Sequence, residues 1–267
     1  MYGLTDVTVR FGATLALDGV TLNVTPGQVV TVVGGDGAGK TTLLRALVGL
    51  VGLDSGSVRA PALDQIGYLP ATTGSWLDLS VQENLTFAGA AYGLRGRALA
   101  DRAQMLMESA DLASVSDRLS RKLSGGMRRK LGFSLALMSS PALLVLDEPS
   151  TGVDPVSRLE LWRLITHAAA DGTAVLTSTT YLDEAERASH ILVLDGGRAV
   201  IQGEPSAVVA DFAPVVTEGR RPMHPGRAWR RGRVFHEVWH EPPPPDARRI
   251  EPDLEDVVIA MSIGDGA

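Results

Sequence analysis

Residues 28–42 read QVVTVVGGDGAGKTT. The first six, Gln28–Val33, are a short β-branched run that fits a buried strand. Gly34-Gly35-Asp36-Gly37-Ala38-Gly39-Lys40-Thr41 follows with the spacing GxxxxGK[ST]. Apolar residues then recur at Leu43, Leu44, Leu47 and Val48, a helical pattern. Strand, glycine loop and helix in that order form a phosphate-binding unit. Glycines let the backbone curl so that successive N–H groups point inward at phosphate oxygens. The helix beginning near Lys40 adds its positive dipole end. The Lys40 ammonium suits β- and γ-phosphates, the Thr41 hydroxyl suits Mg²⁺, and Thr42 continues the first helical turn.

A second element lies about 107 residues beyond Lys40. Ala142–Leu146 reads as a buried strand that delivers Asp147 to its carboxyl end, followed by Glu148 and Pro149. Asp147 is placed to hold Mg²⁺ through water, and Glu148 to polarise an attacking water. An apolar strand ending in Asp-Glu is common by itself; paired with the phosphate loop it makes a coherent nucleotide site.

Around these two pieces the chain alternates strands and helices. Residues 3–9 and 17–24 alternate apolar and polar side chains, as half-buried strands do. Residues 80–140 carry helical spacing and read as an insertion between sheet strands. Residues 143–147, 173–178 and 191–195 read as strands, 156–170 and 182–188 as helices. The pattern predicts an α/β layered fold with a mainly parallel core sheet. Beyond about Asp211 the composition shifts. Arg220, Arg221, Arg227, Arg230, Arg231, Arg233, Arg248 and Arg249 accumulate, with a proline run at Pro242–Pro245. Such a run favours an extended spacer, so a solvated linker is expected, with a basic surface for anionic lipid or RNA as the alternative. Residues 254–261 regain an amphipathic helical pattern.

Composition narrows the functional classes. The 267 residues carry a net charge of −6, which argues against a generally basic nucleic-acid binder. Cysteine is absent, which excludes disulfides, thiolate metal sites and cysteine nucleophiles. Aromatics are 5%, too few for an extended base-stacking platform. No apolar run reaches the ~18 residues of a membrane span, and the opening MYGLTDVTVRFG lacks the basic-then-apolar pattern of an export signal.

The third motif is Leu123-Ser124-Gly125-Gly126-Met127, just before a helix and about 20 residues ahead of Asp147. LSGG between a phosphate loop and an Asp-Glu strand resembles the ATP-binding cassette (ABC) ATPases. The resemblance covers roughly residues 2–211, and KLSGGMRRKLGFSLALMSSPALLVLDEPSTGVDPVSR is similar to the ATP-binding subunits of ABC-2-type exporters, multidrug type included. EPDLEDVVIAM resembles the segment that often closes such subunits. The resemblance implies a P-loop NTPase cassette with an antiparallel β subdomain and a helical signature subdomain at about 80–140. It implies ATP and Mg²⁺ as ligands, with Ser124, Gly125 and Gly126 covering the γ-phosphate of a second cassette. Asp154 of STGVDP falls where the family has its dimer contact, and Phe11 where it has an aromatic that stacks on adenine. It also implies a separate transmembrane permease and a cytoplasmic location on the inner face of the membrane.

Three positions depart from the family pattern. The family has Gln after the strand that here reads IGYLP, where Ala71 stands. It has His where Thr180 stands, and Asn where Asp36 stands. That Gln and His both serve the γ-phosphate site. Two readings follow: tolerated drift with normal turnover, or a phosphate-loop site that turns over slowly while its LSGG completes a site on a different cassette. The second favours a heterodimer over a homodimer. The expected organisation is a cassette at 1–211 and an Arg/Pro-rich tail at 212–267 with a short terminal helix. Other classes remain as alternatives: a soluble ABC ATPase acting on ribosomes or nucleic acid, or a nucleotide-sensing regulatory subunit. The lack of a second cassette or a long coiled coil in the sequence disfavours the nucleic-acid reading.

Overall fold

The computed structural model describes residues 1–72 and 74–264. β1 (Tyr2–Phe11) and β2 (Thr14–Val24) form an antiparallel hairpin, with Gly12 at the turn in the left-handed region (φ 59°). β3 (Val29–Val33) runs into the glycine loop and α1 (Lys40–Leu47). β4 (Ser55–Arg59) returns to pair with β1, completing a sheet of order β2-β1-β4. β5 (Ile66–Leu69) opens the second half, and α2 (Val81–Ala91), α3 (Gly96–Ser109) and α4 (Gly125–Ala136) follow as the helical insertion. The chain then alternates β6 (Leu143–Leu146), α5 (Pro155–Ala170), β7 (Ala174–Thr179), α6 (Leu182–Ala185), β8 (His190–Asp195), β9 (Arg198–Gly203) and α7 (Pro205–Ala210).

The core sheet has the order β5-β6-β7-β3-β8-β9, parallel except for β9 at the edge. Every residue of β3, β6 and β7 is buried. That is what continuous Val/Leu runs demand, since a parallel sheet is covered on both faces. The pleat divides the run. Val30 and Val32 pack with Leu43, Leu44 and Leu47 of α1 and with β1 and β2. Val29, Leu144 and Leu146 pack with Phe133 of α4 and with Leu161, Trp162 and Ile165 of α5. Burying each such Leu stabilises by about 1.5–3 kcal/mol. All five parallel strands point their carboxyl ends the same way, which gathers the loops after β3, β5, β6 and β7 at one edge.

The insertion has a core of its own, built on Val81, Leu85, Leu106, Met107, Leu112 and Leu131. Ser80 caps α2 in a reciprocal box with Glu83. Buried Asn84 accepts from the Trp76 N–H (2.8 Å) and donates to the Ser80 carbonyl (2.9 Å), which pins the entry to α2.

The C-terminal segment corrects an expectation. It is not an extended linker. β10 (Val215–Gly219), β11 (Ala228–Arg231), β12 (Val234–Trp239) and β13 (Arg248–Ile250) form an antiparallel sheet of order β11-β12-β10-β13, closed by α8 (Leu254–Gly264). The Pro242–Pro245 run forms the connection between β12 and β13, where its missing N–H groups cost no ladder bonds. The terminal helix is present as expected. Its Leu254 packs against Ala185, Ile191 and Val193 of the core, joining the sheet to the cassette. Asp256 turns the other way. Its Oδ1 accepts from His236 Nδ1 (2.8 Å), Trp229 Nε1 (3.2 Å) and Arg231 (3.1 Å). Arg231, read as part of a solvated basic run, is thereby an internal tie.

Candidate nucleotide site

The loop after β3 is shaped by glycines that nothing else could replace. Gly39 has φ 104°, and a Cβ there would lie 2.6 Å from the Ala16 carbonyl oxygen. A Cβ on Gly34 would lie 2.5 Å from the Leu194 carbonyl oxygen. Gly35, Asp36 and Gly37 are exposed at the tip, while Ala38 is buried beneath them. Lys40 opens α1, is nearly buried, and folds back over the loop. Its Nζ donates to the carbonyls of Gly34 (2.8 Å) and Gly35 (3.0 Å) and lies 3.2 Å from Glu148 Oε1.

Asp147 is fully buried at the end of β6, and its N–H donates to the Leu69 carbonyl (2.8 Å). Its Oδ1 accepts from Thr41 Oγ1 (3.1 Å) and from Ser178 Oγ (2.8 Å). Its Oδ2 is buried without a partner. An orphaned carboxylate oxygen beside a threonine hydroxyl suits a hard divalent cation such as Mg²⁺. Among the described residues no group of three acidic or histidine side chains is placed to hold a metal ion. A Mg²⁺ held by Thr41 and Asp147 would take its other ligands from phosphate and water. Tyr68 of β5 lies in the same field: its hydroxyl is pushed up, by burial first and by the Asp147 charge in addition.

Glu148 takes a left-handed backbone (φ 47°), uncommon for a residue with a Cβ. Strain of this kind persists where neighbours over-determine it. Here the Glu148 N–H donates to Ser178 Oγ (2.9 Å), and its Oε2 accepts from Thr151 Oγ1 (3.2 Å). Ser178 and Thr151 are site residues that motif reading overlooked. Ser178 sits between Thr177 and Thr179 at the end of β7, a polar triplet closing an otherwise apolar strand.

Because β6 lies between β5 and β7, the loops carrying Ala71 and Thr180 flank Asp147 and Glu148 on either side. Both residues are exposed. Next to Thr180, Thr179 is turned inward and donates to buried Glu184 (2.6 Å), which Arg158 also contacts at 3.2 Å.

The signature motif stands apart from the phosphate loop. Ser124 caps α4 and accepts from the Met127 N–H (3.2 Å), and Ser124 and Gly125 are exposed. Gly126 packs on α5 so closely that a Cβ would lie 2.4 Å from Ser157 Oγ. Among the described residues no hydrogen bond joins Ser124, Gly125 or Gly126 to residues 34–42. Asp154 caps α5, accepting from the N–H groups of Val156 and Ser157 (both 3.1 Å), and those bonds hold its carboxyl below the usual range. Phe11 ends the β1–β2 hairpin about half exposed, its ring open to a flat ligand.

This chain matches the family described as ABC transporter over residues 17–151. It is 42% identical over 197 residues to the probable multidrug ABC transporter ATP-binding protein YbhF of Escherichia coli (strain K12), covering 70% of this chain and 34% of that protein. It is 38% identical over 215 residues to the Nod factor export ATP-binding protein I of Cupriavidus metallidurans, covering 76% of this chain and 71% of that one. The daunorubicin resistance ATP-binding protein DrrA2 of Streptomyces coeruleorubidus is 40% identical over 210 residues, with 74% and 65% covered. The chain thus spans about a third of the length of YbhF and most of the length of the Nod factor relative. A solved ATP-binding subunit of an ABC transporter superposes with TM-score 0.71 at 28% identity, covering 79% of this chain and 93% of that one. The dimeric cassette MJ0796 shares the fold, with TM-score 0.68 at 22% identity over 76% of this chain and 98% of that one.

Proposed function

This chain belongs to the ABC transporter family, and we propose that it is the ATP-binding subunit of an exporter, hydrolysing ATP at an interface between two cassettes to drive a separate membrane permease. One observation carries the cassette-pair reading. The phosphate loop, Asp147 and Glu148 converge, whereas Ser124 and Gly125 are held outward on α4 with no bond to that site. The exposed N-terminus of α4 suits a phosphate presented by a second cassette. Val156 and Leu159 on the first turns of α5 are exposed beside it, as a contact surface requires.

The chemistry follows from the same geometry. Lys40 exchanges the carbonyls of Gly34 and Gly35 and the Glu148 carboxylate for β- and γ-phosphate oxygens. Thr41 Oγ1 and Asp147, whose Oδ2 is buried without a partner, would hold Mg²⁺, which would neutralise phosphate charge. Glu148, released from Lys40 and steadied by Thr151, accepts the proton of the attacking water. Ala71 and Thr180 offer no side chain that reaches the γ-phosphate as Gln and His do. The phosphate-loop site of this chain is therefore slow, and its partner cassette is a different chain that carries both residues.

The permease reading is supported by the names of the export and multidrug relatives and by one surface. Trp76 and Phe87 pack edge to face, ring centroids 4.6 Å apart, yet each is about half exposed, on the segment leading from Ala71 into α2. Aromatic pairs left open this way suit a protein partner. Among the described residues no helix is long and apolar enough to cross a membrane, so attachment to the inner face of the membrane rests on that partner. Purification from detergent-solubilised membranes with a tagged chain tests this. Recovery of a polytopic membrane protein together with a second cassette, and ATPase activity that needs the second cassette, are the expected results. Robust cooperative turnover by this chain alone refutes the slow-site assignment, and co-sedimentation with ribosomes refutes the transport assignment.

A further inference from the structure

We infer that Arg129 of α4 is a positioning residue for ATP hydrolysis, anchoring by its guanidinium the loop after β5 where Ala71 leaves no side chain to do so. Arg129 is 9% exposed, although it carries a charge that burial penalises. All of its hydrogen bonds go to one place. Nη1 donates to the carbonyls of Thr72 (2.8 Å) and Pro70 (3.3 Å), and Nη2 donates to the Ala71 carbonyl (2.5 Å). A planar fork of fixed, spread donors is pre-organised to hold successive carbonyls, whereas a lysine's three donors converge on one nitrogen. The neighbour Arg128 shows the contrast, since it reaches only the Leu123 carbonyl (3.1 Å) of its own helix entry.

The loop needs such an anchor. Ala71 and Thr72 are exposed, so packing does not hold them. On the upstream side, the Leu69 carbonyl accepts from the Asp147 N–H, which ties the end of β5 to the metal-ligand carboxylate. Downstream, the Trp76 backbone is held by Asn84. Between these fixed points Arg129 supplies the only side-chain bonds to residues 70–72 among the described residues. Its guanidinium is pushed down by burial and drawn up by Glu148 and Asp147, so its charge acts on both carboxylates.

The same helix begins with Ser124 and Gly125. Arg129 lies five positions beyond Ser124 along α4, a rise of about 7.5 Å. A rotation of α4 that carries the signature turn toward a phosphate thus carries the 70–72 loop with it, beside Asp147 and Glu148. Displacement of a catalytic surround by ~1 Å costs about 10²-fold in rate, so the anchor acts on turnover more than on binding.

This inference rests on the proposed ATPase reading, and its test separates the two. Arg129→Met and Arg129→Lys are compared with the unmodified chain in a reconstituted two-cassette complex whose partner phosphate loop is inactivated, so that turnover reports this chain's own site. Three readouts are taken: binding of a fluorescent ATP analogue, kcat against KM, and amide exchange in the peptides spanning 66–80 and 30–45. Arg129→Met is expected to keep binding and KM within about threefold and to lower kcat about 10- to 100-fold. Exchange is expected to rise in 66–80 alone, with Arg129→Lys intermediate. Unchanged kcat and exchange in Arg129→Met overturns the anchor. So does exchange rising equally in 30–45 with binding lost, which marks a general folding role. If the unmodified complex hydrolyses nothing, the ATPase reading fails, while the exchange pattern still decides whether Arg129 holds the loop.

Discussion

Lys40 Nζ lies 3.2 Å from Glu148 Oε1, so the phosphate-loop cation is paired with the residue assigned to polarise water. The two groups hold each other until phosphate competes for the lysine. Lys40→Ala removes the phosphate ligand and is expected to weaken ATP binding by at least about 100-fold, or ~2.7 kcal/mol. Glu148→Gln keeps the size and loses the base. It is expected to bind ATP normally and to hydrolyse it about 10²- to 10⁴-fold more slowly. Equilibrium binding of an ATP analogue and single-turnover hydrolysis measure the two effects. Equal loss of binding in both variants contradicts the division of labour.

The flanking loops carry the second prediction. Ala71→Gln with Thr180→His restores two contacts to the γ-phosphate. A recovered contact is worth roughly 2–4 kcal/mol in the transition state, a factor of about 30 to 10³ in rate. Turnover at this chain's own phosphate loop, measured in a complex whose partner phosphate loop is inactivated, is expected to rise within that range. No change shows that Ala71 and Thr180 are tolerated drift.

Gly126→Ala tests the signature turn. Its Cβ meets Ser157 Oγ at 2.4 Å, with the Ser157 Cβ at 2.6 Å behind it. The clash pushes the start of α4 away from α5. The chain is expected to keep ATP binding at its own Lys40 while turnover at the composite site falls at least about tenfold. Gly126→Ala combined with Ser157→Gly relieves the contact and is expected to recover part of the rate.

Asp256 is the hinge pin of the C-terminal sheet. Its removal leaves His236 and Trp229 without that acceptor, while Arg231 keeps only its more exposed partners Asp253 and Glu255. A buried charge pair broken on one side costs about 3–5 kcal/mol, reduced here to ~2–3 because the Arg231 side chain is 35% exposed and partly solvated. Asp256→Ala is expected to make residues 212–250 protease-sensitive while ATP binding persists. Resistance equal to the unmodified chain disproves the tie.

Acid is expected to loosen α5 and the Arg231 tie before the core. The Asp154 carboxyl is held low by the Ser157 and Val156 N–H groups. Burial raises the Asp253 carboxyl, but Arg231 outweighs it and holds it below the usual range. A folded value below the unfolded one means stability fully present above about pH 4. It is lost as pH falls through the lower folded value. Circular dichroism and amide exchange between about pH 5 and pH 2 follow the loss. Asp154→Asn keeps a cap without the titration and is expected to flatten the α5 part of the profile.

Much of the fold was legible because its rules are local. The Gln28–Val33 run, the glycine spacing and the helical repeat after Lys40 each depend on neighbours within a few residues. The strand at Leu143–Leu146 was visible for the same reason, since it is buried on both faces and apolar throughout, and Ala174–Leu176 opens β7 in the same way. The C-terminal sheet was not legible. Its strands are short, rich in arginine and broken by prolines, and composition pointed to a linker. Beyond the local β11–β12 hairpin, what stabilises them is the pairing of β10 with β12 and β13 and the Asp256 cluster, between residues distant in sequence.

The sequence by itself determined which side chains are candidates for phosphate and metal, because the strand–loop–helix spacing singles out Lys40 and Thr41 and the apolar strand at 143–146 singles out Asp147. It also determined that Gln and His are missing at 71 and 180. Only the tertiary structure decided how those groups are held. Ser178 braces Asp147 and Glu148 from the neighbouring strand, and Lys40 pairs with Glu148. Arg129 reaches the Ala71 loop 58 residues away, and Arg231 becomes an internal tie. The reason is physical. Motif spacing is local geometry, whereas a buried charge takes whichever partner the packing of distant segments brings within about 3 Å.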